Sequence, residues 1–460
     1  MARRFWVETL GCPKNQVDSD KLVGTLVADG MVAADGPDGA DLVVVNTCAF
    51  IEAARQESVD TVLALADVAP DAELVVTGCL AERYGDELAD ALPEVDVVAG
   101  FGQAFVAAQV MGGSHERAAA GASGFALGST SVPVTLGAVR SSSVPDFDLL
   151  NLPRPAATAP WAYVKVAEGC DRACGFCAIP SFRGPQRSRS LDDVLTEVDA
   201  LDVREVVLVA QDLAAYGRDQ GVGERSIVPL VQAVAERVDR VRLLYLYPSD
   251  LTDPLIDAVL STGVPYFDLS LQHVSAPLMR RMRRWGDGDR FLARIDAIRQ
   301  RQPEAAFRSN FIIGYPGETE TDHDRLLEFI EAAQLDWCGL FTYSPEDGTY
   351  AADLDGVVPP ELAAERLAEV SARQDEITAL RRDRLIGSHM QVLVDAPGVA
   401  RSWREAPEID GIVVIDETVP VGSLVDVEVT GSLGTDITAV CVGPADLWSR
   451  AVAVTEGNRR

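Results

Sequence analysis

Along residues 1–100, short apolar runs alternate with stretches whose apolar positions recur at helical spacing. Phe5–Leu10, Asp41–Asn46 (carrying Leu42-Val-Val-Val45), Glu73–Thr77 and Asp96–Ala99 read as strands. Asn15–Ala28, with Val17, Leu22 and Leu26 on one face, Glu52–Ala66 and Ala81–Leu92 read as helices. This alternation predicts a small parallel α/β domain over residues 1–110. Residues 111–160 are rich in Gly, Ala, Ser and Pro and read as a linker, with a short hairpin expected around Val132–Val139.

From 161 to 385 the strand–helix alternation resumes six times. Strands fall at Tyr163–Ala167, Glu205–Ala210, Val241–Leu246, Tyr266–Leu271, Arg308–Ile313 and Gly339–Tyr343. Helical spacing covers Leu191–Leu201, Ile227–Val238, Pro254–Leu260, Ala276–Arg284 with Asp289–Arg299, Glu320–Ala333 and Pro360–Leu385. Six such units predict a partial (β/α)6 barrel, whose reacting groups belong at the carboxyl ends of the strands. Gln211-Asp212, Gln272-His273, Arg308, Asn310 and the turn Gly314-Tyr-Pro-Gly-Glu318 are the polar groups this rule nominates. Residues 386–448 switch to short alternating strands (Val392–Val394, Gly411–Ile415, Leu424–Val429, Ile437–Val442), which predicts a small β-barrel of oligonucleotide-binding type, with 449–460 left as a tail.

Composition narrows the class. The 460 residues support several domains, and 47% hydrophobic content supports real cores. No run of 18 apolar residues occurs, and Met-Ala-Arg-Arg-Phe-Trp leads straight into a strand pattern, so a soluble cytoplasmic chain without signal peptide or membrane span is expected. Eight cysteines are too sparse for a disulfide scaffold; six fall in two groups, which fits a reducing compartment and metal binding. The net charge of −31 argues against a protein built to grip phosphates and for a basic protein partner, although acidity also serves solubility alone. The last barrel sharpens this: ten acids from Asp395 to Asp446 face two arginines, Arg401 and Arg404.

Three cysteines occupy equivalent places in the first domain. Cys12 follows the first strand, Cys48 the second and Cys79 the third. Ligands of open parallel sheets bind beyond the carboxyl ends of strands, so three thiols delivered to one edge point to a cluster site. A single cysteine there would be an ordinary small hydrophobe. The other three lie in Glu168-Gly-Cys-Asp-Arg-Ala-Cys-Gly-Phe-Cys177, where Cys170, Cys174 and Cys177 form a C-x3-C-x2-C spacing. Three thiolates on one face of a four-iron cluster leave one iron open, and an open position is where chemistry happens. A zinc knuckle with a distant fourth ligand, or three buried thiols, are the alternative readings; no second C-x2-C pair supports the first.

The C-x3-C-x2-C spacing resembles the radical S-adenosylmethionine (SAM) superfamily, which implies a [4Fe-4S] cluster whose open iron binds SAM and cleaves it to a 5′-deoxyadenosyl radical. The whole chain resembles the methylthiotransferase family within it: a three-cysteine N-terminal domain, a radical SAM barrel and a C-terminal TRAM barrel. Its local phrases are similar to the RimO-like branch, which modifies an aspartate of small-subunit ribosomal protein S-twelve. These are Gly11-Cys-Pro-Lys-Asn15 with Asp18-Ser19, Asn46-Thr-Cys-Ala-Phe-Ile51 with Gln56-Glu57-Ser58, Ala178-Ile-Pro-Ser-Phe-Arg-Gly184 and Ala406-Pro-Glu-Ile-Asp-Gly411.

The resemblance implies two [4Fe-4S] clusters, one on Cys170, Cys174 and Cys177, the other on Cys12, Cys48 and Cys79, where the second carries or positions the sulfur. It implies two uses of SAM, as methyl donor to sulfur and as source of the radical that abstracts hydrogen from the substrate β-carbon. It nominates Phe176, Gln211, Ser270, Gln272, Arg308, Ile312 and Gly314 as SAM contacts, with core packing and turn formation as the plain readings of Ile312, Phe176 and Gly314. The expected partners are S-twelve, free or within the small subunit, and an electron donor, with the enzyme a monomer and tRNA disfavoured. A tRNA adenosine methylthiotransferase (MiaB-like) and a non-catalytic iron–sulfur scaffold of ribosome assembly are the competing readings. Arg183, Arg187, Arg189 and the run Arg280–Arg284 are the basic clusters, read as RNA contacts, partners of the acidic domains or a solvated helix face. Cys338 and Cys441 read as structural, and His273 as substrate-facing or satisfied by backbone.

Overall fold

A computed structural model describes residues 2–101, 148–221 and 226–442. The expected hairpin at Val132–Val139 and the tail 449–460 lie outside these residues. The chain forms two compact units: Met1–Pro155 with Ile179–Pro185, and Ala156–Ala178 with Gln186–Arg460.

The first unit is a five-stranded parallel sheet built from β1 (Arg4–Thr9), β2 (Val32–Ala33), β3 (Leu42–Thr47), β4 (Glu73–Gly78) and β5 (Val97–Val98), in the order β2-β1-β3-β4-β5. Every residue of β3 is buried, as a strand covered on both faces requires, and that is why it reads as a continuous apolar run rather than an alternating one. Helices Pro13–Ala28, Glu52–Val68 and Cys79–Ala91 connect the strands. Leu22 and Leu26 of the first helix pack on Phe5, Val44 and Val75. Residues 148–155, expected as linker, belong to this unit; Lys21 donates to the Leu150 carbonyl and Arg154 pairs with Asp20 at 2.9 Å.

In the second unit β6 (Trp161–Lys165) is followed by a small ladder of β7 (Ala167–Glu168) with β8 (Arg187–Ser188). The barrel strands continue with β9 (Glu205–Val209), β10 (Arg240–Leu243), β11 (Tyr266–Gln272), β12 (Ala306–Ile313) and β13 (Trp337–Thr342). Two parallel three-stranded sheets, β6-β9-β10 and β11-β12-β13, are joined by a parallel bridge between Leu246 and Leu269, which gives the expected six-stranded partial barrel. Then β14 (His389–Ala396), β15 (Val399–Arg401), β16 (Val413–Val414), β17 (Leu424–Leu433) and β18 (Asp436–Cys441) close into a small barrel. Its β15 was not expected: it is three residues long and follows Gly398, whose φ of +77° turns the chain.

The small barrel seals the amino ends of the six strands. Arg240, first residue of β10, donates to the carbonyls of Arg401 and Gln391 at 3.0 and 2.8 Å. Arg242 bonds Glu205 at 2.8 Å and the Trp403 carbonyl at 3.0 Å, and Arg401 reaches the same Glu205 at 3.2 Å. Tyr266 donates to Asp410 at 2.6 Å, Trp337 to the Arg404 carbonyl at 2.7 Å and Tyr163 to the Pro407 carbonyl at 2.8 Å. Arg382 pairs with Glu405 at 2.6 Å and Arg404 with Asp336 at 3.2 Å. Charges this deeply buried persist only when they are paired.

Candidate functional site

The first candidate centre is the carboxyl edge of β1, β3 and β4, three adjacent strands of the first unit. Cys12 is the N-cap residue of the helix Pro13–Ala28, and Cys79 is the first residue of the helix Cys79–Ala91. Gly11 has φ +98°, and a Cβ on it would lie 2.8 Å from Cys48 Cβ and 2.9 Å from its Sγ; only glycine lets these two loops approach. Gly78 before Cys79 is equally obligatory, since a Cβ there would sit 2.4 Å from Asn46 Oδ1.

The side chains around the thiols hold both the loops and one another. Asn15 donates to the carbonyls of Leu10 and Thr47, at 2.9 and 3.0 Å, and so ties the loop before Cys12 to the loop before Cys48. Ser58 accepts from the Cys48 N–H at 3.1 Å. Arg183 donates to Cys79 Sγ at 3.0 Å and to Asn15 Oδ1 at 2.9 Å. Burial pushes the Cys48 thiol up to about 12, with Cys79 and Cys12 adding to the effect. Burial pushes Cys12 up as well, but Lys14, the backbone N–H groups of Asn15 and Lys14, and Arg183 outweigh it and leave that thiol below its ordinary value. Mutual repulsion among the three thiolates is relieved when a cationic metal binds them.

The second candidate centre is the loop after β7. Cys170, Cys174 and Cys177 follow Gly169 at φ +79°, and the loop is pinned by Gly175 N–H to the Met282 carbonyl and by Ala351 N–H to the Gly175 carbonyl, both 2.8 Å. A Cβ on Gly175 would meet Tyr315 Oη at 2.8 Å. Cys170 accepts the Arg172 N–H at 3.4 Å, and burial lifts its thiol to about 11. Arg284 Nη1 lies 3.2 Å from Cys174 Sγ.

Among the described residues no three His, Cys, Asp or Glu side chains form a group that could hold a single metal ion.

The carboxyl ends of the barrel strands gather most of the other nominated residues. Gln211 donates to Glu168 at 2.7 Å, and Glu168 also pairs with the buried Lys165 at 2.5 Å. Gln272 ends β11 in the left-handed region at φ +73°. The Ser270 carbonyl accepts from Arg284. Gly314 has φ +78°, gives its N–H to Glu318 at 2.7 Å, and would press a Cβ to 2.7 Å from Ala363 Cβ, so it serves the turn. Phe176 and Ile312 are half-buried against the barrel core.

Arg308 does not join that edge. It is the third residue of β12, near the amino end, and its guanidinium binds Asp410 at 3.2 Å and Asn310 at 3.1 Å, on the side sealed by the small barrel. The run Arg280–Arg284 divides: Arg280 and Arg283 are exposed, Arg283 lying 3.6 Å over Tyr350, while Arg281 binds the Pro316 carbonyl and Asp355, and Arg284 turns in to the cysteine loop. His273 is buried, its Nδ1 accepting the Ser275 N–H at 3.1 Å, and burial lowers its pKa to about 4, so it is a neutral structural group. Cys338 and Cys441 are half-buried against the barrel cores.

Sequence reasoning missed the cations that brace the cysteine loop. Arg172 binds Asp212 at 2.6 Å and also Asp250, and it shares the Tyr247 ring with Arg284, at 3.9 and 4.1 Å from the ring centroid. Arg172 inside the cysteine motif and Asp212 at a strand end were the available signals.

Three family models match the chain: uncharacterized protein family UPF0004 over residues 4–100, the Radical SAM superfamily over 164–330 and the TRAM domain over 386–442. Curated relatives span nearly its whole length. The ribosomal protein uS12 methylthiotransferase RimO of Kineococcus radiotolerans is 41% identical, over 95% of this chain and 97% of its own. That of Cutibacterium acnes is 42% identical over 94% and 96%. Among solved structures, the radical SAM methyltransferase TsrM from Kitasatospora setae, with cobalamin and a [4Fe-4S] cluster bound, aligns at TM-score 0.50 and 15% identity over 75% of this chain and 74% of its own, a likeness of fold alone.

Proposed function

This chain belongs to the RimO family of ribosomal protein uS12 methylthiotransferases, and from that membership and the two cysteine centres we propose that it replaces a β-carbon C–H of an aspartate in uS12 by C–S–CH3. Its cofactors are SAM and [4Fe-4S] clusters. The clusters supply the electron that cleaves SAM and a site for the transferred sulfur. The observation that carries the reading is the second set of thiols. A radical SAM barrel alone serves many chemistries, whereas Cys12, Cys48 and Cys79 at one sheet edge add the second centre that a sulfur transfer uses.

The chain's own residues bind and orient. Cys170, Cys174 and Cys177 hold the radical-generating cluster, and Arg172, Asp212 and Asp250 brace their loop. Gln211, Ser270, Gln272 and Gly314 line the strand ends offered to SAM. Gly314 contributes through its backbone, since its turn admits no side chain.

Surface charge supports a protein substrate over tRNA. Arg401 and Arg404, the arginines of the C-terminal barrel, are buried in ion pairs, while Glu408, Asp416, Glu417, Asp426 and Glu428 are exposed. Such a face attracts a basic ribosomal protein and repels a phosphate backbone. No helix among the described residues is long and apolar enough to cross a membrane. A cytoplasmic monomer served by a low-potential electron donor completes the reading.

The test is anaerobic reconstitution with iron and sulfide, followed by SAM, a strong reductant, and uS12 or bulk tRNA in separate reactions. Mass spectrometry of both reads the outcome. A methylthio group on an aspartate of uS12 alone is expected; one on tRNA alone overturns the substrate assignment and leaves the chemistry.

A further inference from the structure

Arg183 is a buried cation at the sulfur of a proposed cluster ligand. Its side chain is 3% exposed, and it lies in the same compact unit as Cys12, Cys48 and Cys79, at the end of the short helix Ile179–Arg183, which packs on the helix Cys79–Ala91. Nη2 reaches Cys79 Sγ at 3.0 Å and Asn15 Oδ1 at 2.9 Å; Nη1 faces Asp18 at 3.3 Å; and the guanidinium stacks 4.1 Å from the centroid of Phe101. Each of these partners fixes the fork in place, and Asn15 is itself fixed by the Leu10 and Thr47 carbonyls. A planar guanidinium held this firmly, with one edge on a thiolate, is built for a defined charge at a defined sulfur.

We propose that Arg183 is a positioning and tuning residue of the N-terminal cluster: it donates an N–H to the Cys79 sulfur and offsets the negative charge the cluster gains on reduction, which raises its reduction potential. The proposal rests on reading Cys12, Cys48 and Cys79 as cluster ligands. Hydrogen bonds to sulfur and local charge are the recognised levers on iron–sulfur potentials. Arg183→Met keeps much of the length and removes both levers; Arg183→Lys keeps the charge and loses the fork.

The experiment uses the full chain with Cys170, Cys174 and Cys177 all changed to Ala, so that any cluster signal comes from the N-terminal set. Each of three versions (Arg183, Arg183→Lys, Arg183→Met) is reconstituted anaerobically, assayed for iron and sulfide, and titrated redox-potentiometrically with detection by electron paramagnetic resonance. The expected result is a cluster in all three whose reduction equilibrium shifts about tenfold toward the oxidised form in Arg183→Met, about 59 mV for one electron, with Lys between. Loss of the cluster in Arg183→Met and its retention in Arg183→Lys also supports a charge role. Equal midpoints in all three, or loss of the cluster from Lys and Met alike, overturns the role of Arg183. Absence of iron from the chain with Arg183 in place overturns the cluster reading itself, and the proposal with it.

Discussion

Glu205→Gln should destabilise the barrel unit more than any single surface change, and its cost is calculable. Glu205 is fully buried, and Arg242 at 2.8 Å and Arg401 at 3.2 Å share its carboxylate. Burial alone would push its pKa up; Arg401, Arg242 and Arg240 outweigh it and hold it at about 2 against an ordinary 4.5. At about 1.36 kcal/mol per pH unit, that difference is worth about 3 kcal/mol. Breaking a buried pair by removing one partner costs about 3–5 kcal/mol by independent reckoning, because the arginines stay buried without their counter-charge. For a unit of this size either figure lowers the melting temperature by roughly 6–10 °C. The pKa is depressed in the fold, so the stabilisation is complete above pH 4.5 and is lost as pH falls toward about 2. Differential scanning calorimetry at pH 7, then at steps down from pH 5, should show a large gap between parent and variant that narrows on acidification. A gap of about 1 °C at pH 7, the scale of a surface substitution, or one that stays constant below pH 4.5, would refute the reasoning.

Cys174→Ala should end 5′-deoxyadenosine production and remove close to half of the reconstituted iron, whereas Cys48→Ala should keep SAM cleavage and lose methylthio transfer; chromatography of the nucleoside and mass spectrometry of uS12 separate the two. Gly11→Ala forces a Cβ to 2.8 Å from Cys48 Cβ at a φ of +98°, a strain of about 1–3 kcal/mol, and should lower iron bound at the N-terminal centre in an iron assay. Arg308→Met should lower the melting temperature while leaving the KM for SAM unchanged, since its partner is Asp410 and not the strand ends. Raising salt should increase the KM for uS12, because an acidic chain of net charge −31 meets a basic partner through a screened attraction.

The placement of the cysteines was legible because strand ends and chain-neighbour spacing are local properties. Cys12, Cys48 and Cys79 each follow an apolar run, and parallel order carries three such ends to one edge. The charged residues were not legible for the opposite reason. Arg308 was nominated by strand number, yet an eight-residue strand has two ends some distance apart, and only pairing with Asp410 reveals which one it serves. Arg401 and Arg404 look like surface cations of a small barrel until Glu205 and Asp336, 196 and 68 residues away in the chain, are seen beside them. The run Arg280–Arg284 reads as a polar face because sequence spacing carries no information about Tyr350, Tyr247 or the Cys174 loop.

The plug of Arg401–Asp410 under the six strands makes the C-terminal module hard to exchange. A barrel without groups that match Glu205, Arg240, Arg242, Tyr266 and Asp336 would strand several charges in the dark. Exposed positions such as Asp416, Glu417, Asp426 and Glu428 can be changed without touching that hidden joint. Anyone redirecting this enzyme to a new protein would repaint that outer face and leave the socket alone.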